Sequence, residues 1–416
     1  MRKIVRTGVK IILVVTILIL ANFSGIGWST KEETKTTTPT REEIAYYWAP
    51  VWYQDIDNSC CVADYITNFD FDGNWIGSDN WENLEANESY SYKACIYYSI
   101  VETATHWFIG YYDYHARDWT EIIVLQHEHD FEGVLVVVKK GPTEWGEFIC
   151  MITESHGHLY QYIDKDSTPS MFVRNNYDDI DGDVEFSFVD TYNIPFPFVG
   201  HNHPMAYVDC WGHGVHGDKR WAVEGFPGGD GVIYKPKGTS EEPNKTNYHE
   251  VSYSLVNVDI FWAMRSGPYG ENCTMGSFSA FDGDTFGEDS ALLPWGWDDP
   301  DDGPTFAGEI FYDPANLVST QLKGLGEFSY NYTYNPYALE ITIDRYRVNW
   351  DLDSGEDNSD GYLNLYLISG VGEKTEDDGV LDGDSGIQYS WIGWDMEPNK
   401  WVDMHKEITR PFYGLH

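Results

Sequence analysis

The stretch "YYDYHARDWTEIIVLQHEHDFEGVLVVVKK", Tyr111 to Lys140, decides how the chain is read. It opens on aromatic residues, passes through an acidic and histidine-rich knot, and ends in valines. Taken as one extended strand from Glu128 to Val138, period two puts Glu128, Asp130 and Glu132 on one face. His129 and Phe131 take the other. His127 joins the acidic face only if the chain turns or bulges there. Carboxylates within about 7 Å of each other on one face repel and resist burial unless a positive charge sits among them. An oxygen-rich set with at most one imidazole suits Mg²⁺, Ca²⁺ or Mn²⁺ better than zinc. The plainer account is a strand edge with solvated acids and a hydrogen-bonded core His129.

The rest of the chain supports strands as the main element. Its 416 residues exceed one ordinary core and suggest two folded units. After residue 30, Ala and Leu runs are scarce. Short segments rich in Val, Ile, Tyr, Phe and Trp alternate with Gly, Asn and Asp, a mostly β pattern. With 30 Tyr and 17 Trp, the chain can bury a large core. The expected fold is a mostly β protein: an antiparallel β-sandwich core with long loops, followed by a smaller C-terminal β-sandwich.

Charge narrows the function. Against 68 acidic residues stand 26 basic ones, a net charge of −42. A phosphate backbone repels such a chain, so no nucleic-acid partner is expected. Either the acids are a solvated surface, or some of them bind cations.

The expected domain order runs from the N-terminus. "MRKIVRTGVKIILVVTILILANFSGIGW" joins Arg2, Lys3, Arg6 and Lys10 to an apolar run from Ile11 to Phe23, so residues 1–28 read as a signal peptide or signal anchor. Residues 29–43 form a Thr-rich polar linker. The first globular region spans 44–325 and begins with "AYYWAPVWYQDID", read as a strand. The second, 329–416, alternates in "ALEITID" and "GYLNLYL", a strand pattern around acidic loops. The chain is therefore expected to be secreted or anchored at the cell surface. The six cysteines, Cys60, Cys61, Cys95, Cys150, Cys210 and Cys273, permit disulfides in an exported chain. No C-x-x-C pair is present, which argues against a zinc ribbon.

Ten of the thirteen histidines lie between His106 and His216, a density that packing alone seldom produces. His213 and His216, in "WGHGVHGDK", sit among glycines that let backbone approach a ligand. With His129 and His156 they are candidates to line a cavity beside the metal; a structural tight turn explains the glycines equally well. Trp75 and Trp81, in "FDFDGNWIGSDNWENL", could stack on sugar rings, although a packed surface loop is the plainer account. "DLDSGEDNSDG" offers Asp351, Asp353, Asp357 and Asp360 as a calcium loop, and "DDIDGDVE" has similar spacing. Both lack the closing Glu of an EF-hand, and polar turns are the alternative. No G-x-S-x-G elbow and no phosphate-binding G-x-x-x-x-G-K-[ST] occurs.

"HEHDFE" resembles the "GHRHDWE" heptapeptide of the necrosis- and ethylene-inducing peptide-like proteins, secreted β-sandwich cytolysins that bind a divalent cation. The resemblance places His127, Asp130 and Glu132 on ligand positions and His129 on the inward-facing second His. "YYDYHARD" is similar to the aromatic-then-Asp segment of that family, which makes Asp118 the fourth ligand. "TESHGHLYQY", around His156, and "HPMAYVDCWGHGVHG" resemble further blocks of that family and of the wider vacuolar-sorting relatives. The likeness covers about Tyr46 to Lys219. Gln126 stands where the motif has Gly, Glu128 where it has Arg, and Phe131 where it has Trp. These departures put cytolysis in doubt even where the fold carries over.

Two functions are then expected to compete. In the first, a divalent cation (Mg²⁺ or Ca²⁺) and nearby histidines bind an extracellular sugar or lipid headgroup. In the second, the metal polarises an ester, phosphoester or glycan for hydrolysis. A structural protein with stabilising metals, Ca²⁺ in the C-terminal region among them, is the third possibility.

Overall fold

The computed structural model describes residues 38–57, 62–84, 90–119, 126–155, 158–165, 174–175, 180–190, 192, 200–218, 231–243, 249–284, 291–297, 308–323, 329, 331–347, 359–367, 373–374, 381–382, 387–396 and 401–411. The apolar segment 11–23, Cys60, Cys61, His156, Asp351, Asp353 and Asp357 lie outside them.

The described chain starts as a helix, α1 (Arg41–Trp48), where a strand was expected. The reason is local. Thr40 accepts from the Glu43 backbone N–H, and the Glu43 carboxylate accepts from the Thr40 N–H at 2.6 Å. This reciprocal capping box satisfies two N–H groups that a helix start otherwise leaves orphaned. The end of the Thr-rich segment therefore belongs to the fold. Ile44, Ala45, Tyr46 and Trp48 face the core.

From there the protein is mostly β. The strands that build it are, in order, β1 (Val51–Asp55), β2 (Cys95–Thr103), β3 (His106–Asp118), β4 (His127–Lys139), β5 (Glu147–Ser155), β6 (His158–Ile163), β7 (Arg174–Asn175), β8 (Gly182–Asp183), β9 (Phe186–Val189), β10 (His201–Val208), β11 (Val215–His216), β12 (Gly231–Lys235), β13 (His249–Ser252), β14 (Ser254–Asn257), β15 (Leu322–Lys323) and β16 (Tyr332–Tyr334). One short helix matters for the site, α2 (Asn80–Asn83).

Two large sheets form a sandwich-like pair. The first orders as β14-β2-β3-β4-β5-β6-β8, with β16 also on β2. Its centre, β2 to β6, is an antiparallel meander. The second orders as β11-β10-β1-β12-β13, with β9 on β10. Neither is purely antiparallel: β1–β10, β12–β13, β14–β2 and β6–β8 pair in parallel. The chain stays with the first sheet past residue 329, since β16 pairs with β2 and the Tyr337 hydroxyl reaches Asp259. Beyond it, two antiparallel ladders join 338–347 to 401–411 and 359–367 to 387–396, where the alternating segments of the sequence predict strands.

The valine run of β4 is explained by its place. Val134 to Val138 are all buried because the strand is central. Both of its faces are covered, so period-two alternation gives way to continuous apolar residues. One face meets a ring cluster of Tyr112, Tyr114, Phe131, Phe261 and Phe281 with centroids 5.5–6.3 Å apart. Each fully buried ring contributes roughly 2 kcal/mol through the area it removes from water.

Candidate cation centre at the start of β4

The knot is the end of the β3–β4 hairpin. In its register Asp113 faces Glu132, His115 faces Asp130, Arg117 faces Glu128 and Asp118 faces His127. The pleat is broken in the middle. His129 has φ of 60°, in the left-handed region, which costs a non-glycine residue about 1–2 kcal/mol. Its ring offsets that cost with two hydrogen bonds, from the Tyr114 hydroxyl at 2.8 Å and to the Asp282 carbonyl at 2.9 Å.

That one dihedral separates residues that simple alternation places together. Asp130 meets His213 on one flank. Glu128 goes to the other, where residues 281–284 pack on the His129 side of the sheet. There Glu82, Glu128 and Asp284 each offer an oxygen within 4.8 Å of the other two. Glu128 is 1% exposed; Glu82 and Asp284 are exposed. The Asp284 backbone N–H donates to Glu128 Oε2 at 3.2 Å. Gly283 makes the approach possible, because a Cβ there would lie 2.8 Å from the same oxygen. The donor set is three carboxylates, all hard oxygens, which fits Ca²⁺ or Mg²⁺. Among the described residues, this is the group of three whose ligand atoms come that close together. Arg117, opposite Glu128, donates to the Trp81 carbonyl and lies over the Trp81 and Trp119 rings.

The other flank holds the four residues expected from the sequence, differently engaged. Asp118 Oδ2 and His127 Nε2 are 3.5 Å apart. Asp130 accepts from His213 Nδ1 at 2.8 Å, while His213 Nε2 faces Asp64 Oδ1 at 3.4 Å. Burial alone pulls His213 down, but the two carboxylates outweigh it and raise it to about 10. Burial raises Asp130, and the bond and charge of His213 bring it back below the ordinary carboxylate range. His213 is therefore an imidazolium, already the counter-ion of Asp130. It stacks on His115 at 3.7 Å; burial and then the His213 charge keep His115 below its usual value. Glu132 is buried opposite Asp113.

Solved structures similar to this chain are NLP toxin-fold proteins. The crystal structure of the non-toxic HaNLP3 protein matches at 15% identity, over 38% of this chain and 66% of that one, with a TM-score of 0.22. NLPPya in complex with mannosamine matches at 13% identity over 39% and 71%, and NLPPya in complex with glucosamine at 16% over the same shares, each with a TM-score of 0.18. This chain thus spans just under two thirds of the first of these proteins. No family model and no curated protein matches the chain.

The remaining expected residues fall as follows. His129 lies in the core, both ring nitrogens bonded, with Phe69 and Phe281 against it at 5.6 and 4.9 Å. Burial takes it down to about 4. This is the hydrogen-bonded core histidine of the plainer account. His213 joins the knot. His216 Nε2 is 3.3 Å from Ser155 Oγ and 3.2 Å from Asp209 Oδ2. This is a serine–histidine–aspartate set in name only, because one ring nitrogen faces both partners, whereas a relay uses opposite nitrogens. Trp81 is 7% exposed and stacks on Trp119, while Trp75 packs on Phe69 and Phe261, so both are packing residues. In "DDIDGDVE", Asp181 and Asp183 accept from Gln161 and Lys165 backbone N–H groups and Glu185 from the Tyr207 hydroxyl, the pattern of polar turns. Asp360 is the second residue of the strand Ser359–Leu367. Cys95, Cys150, Cys210 and Cys273 are free thiols.

Sequence reasoning missed Glu82, Asp284 and Asp64. A signal existed for Asp284: "FDGD" has the same alternating-Asp-with-Gly spacing that drew attention to "DDIDGDVE".

Proposed function

We propose that the protein is an exported, divalent-cation-dependent binding protein that recognises a sugar or lipid headgroup at the start of β4. The observation that supports it is the convergence of Glu82, Glu128 and Asp284, three carboxylates from distant parts of the chain, one of them buried. A shared cation would lower the mutual repulsion of such a set. Glu82, Glu128 and Asp284 would hold Ca²⁺ or Mg²⁺, and the bound ion would supply open coordination positions for ligand hydroxyls. Asp118, His127, Asp130 and Glu132 are the alternative place for the same ion; there the His213 ring already bonds Asp130, which favours the first. Binding without turnover is favoured because Ser155, His216 and Asp209 lack relay geometry.

Calorimetric titration of chelator-stripped protein with CaCl₂ and MgCl₂ tests the cation. Glycan-array and liposome binding, with and without chelator, tests the ligand; mannosamine and glucosamine are the first small probes. Binding that survives chelation contradicts the reading.

A further inference from the structure

We infer that Asn80, Tyr114 and His129 are positioning residues that set the spacing of Glu82, Glu128 and Asp284 through one hydrogen-bonded relay; this rests on the reading of that site as a cation seat. The relay joins the three segments that carry the acids. Asn80 lies on α2, two residues before Glu82. His129 is next to Glu128 on β4. Asp282, which accepts at the far end of the relay, is two residues before Asp284.

The directions of the bonds agree along the whole path. Asn80 Nδ2 donates to the Tyr114 hydroxyl at 2.7 Å. That hydroxyl has one proton and gives it to His129 Nδ1 at 2.8 Å. The proton of His129 then sits on Nε2 and is donated to the Asp282 carbonyl at 2.9 Å. Asn80 is tied down separately by a second bond, to the Phe69 carbonyl at 3.1 Å. Asn80 already donates to the Tyr114 oxygen and the Asp282 carbonyl can only accept, which leaves Nδ1 as the acceptor of the Tyr114 proton. All three side chains are fully or almost fully buried, and Phe69 and Phe281 close over the imidazole. Water therefore does not compete for the bonds. The left-handed His129 is the part that needs this support, since strained backbone persists only where its surroundings over-determine it. Its φ is also what sends Glu128 toward Asp284.

The test is Ca²⁺ titration of the full chain by calorimetry, comparing wild type, Glu128→Gln and Tyr114→Phe. It is run at a temperature where circular dichroism shows every protein fully folded. Tyr114→Phe removes one hydroxyl and touches no ligand. The relay predicts a Kd at least ten-fold weaker for Tyr114→Phe. Asn80→Ser, one bond further out, is expected to weaken it about three-fold and carries the test if Tyr114→Phe does not fold. If wild type binds, Glu128→Gln does not, and both relay variants bind like wild type, the positioning role is overturned while the seat stands. If wild type binds no Ca²⁺ or Mg²⁺, the seat itself is overturned and the relay's role with it.

Discussion

His213 carries the tightest charge arrangement of the molecule. Its imidazolium is fully buried between Asp130 and Asp64. Removing one partner from a buried charge network leaves the others uncompensated, at a cost of about 3–5 kcal/mol. His213→Leu should therefore unfold in urea with a stability loss of about 3 kcal/mol or more. A loss below 1 kcal/mol would mean that the carboxylates find other partners. Gly283 is the second position where one atom decides. A methyl at Gly283→Ala meets Glu128 Oε2 at 2.8 Å, so Ca²⁺ affinity should fall several-fold in calorimetry while the fold is retained. Legibility at this scale was partial. The carboxylates of 128–132 stood out as a cation-seeking group from spacing alone. That Glu128 leaves Asp130 depends on φ at His129, which is held by a carbonyl 153 residues away. No local pattern encodes that, so the position of Asp284 beside Glu128 was equally out of reach.

At the scale of elements, β3 and β4 were readable because a buried central strand must be apolar on both faces and ends where charges begin. The first helix was readable but misread. "AYYWAPVWYQDID" has strand-like composition, yet the T-x-x-E of Thr40 and Glu43 outweighs it by satisfying the helix start. Thr40→Ala should cost about 1 kcal/mol, measurable as a lower urea midpoint with an unchanged m-value. An unchanged midpoint would mean that α1 is held by its packed face alone. The acidic loop 181–185 shows the opposite outcome: its Asp spacing resembled a calcium site, but its carboxylates cap backbone N–H groups instead.

At the scale of the molecule, two features should show in solution. Buried neutral histidines make stability depend on acid. Burial lowers His106 to about 4 and His203 to about 3, while the unfolded chain titrates near 6.5. Between those values the unfolded state binds more protons than the folded one. The contribution of these two rings is therefore fully present above about pH 6.5 and is lost as pH falls toward 4, whereas that of His213, raised to about 10, is lost only as pH rises above 6.5. Thermal melting from pH 8 to 4 should show Tm falling below pH 6.5, and a smaller fall in His106→Gln. An equal fall in wild type and His106→Gln would mean that the folded protein leaves His106 titrating as the unfolded chain does. The second feature is the cation. An ion bound only by the folded state at 100 times its Kd adds about 2.7 kcal/mol, against a background of 42 net negative charges that a monovalent salt control must match.

The cation seat is tested most sharply by a calorimetric Ca²⁺ and Mg²⁺ titration of the metal-free chain beside Glu128→Gln and Asp130→Asn. One site is expected in the wild type, lost in Glu128→Gln and kept in Asp130→Asn. Equal binding by all three proteins, or a site lost only in Asp130→Asn, would contradict the placing of the cation among Glu82, Glu128 and Asp284.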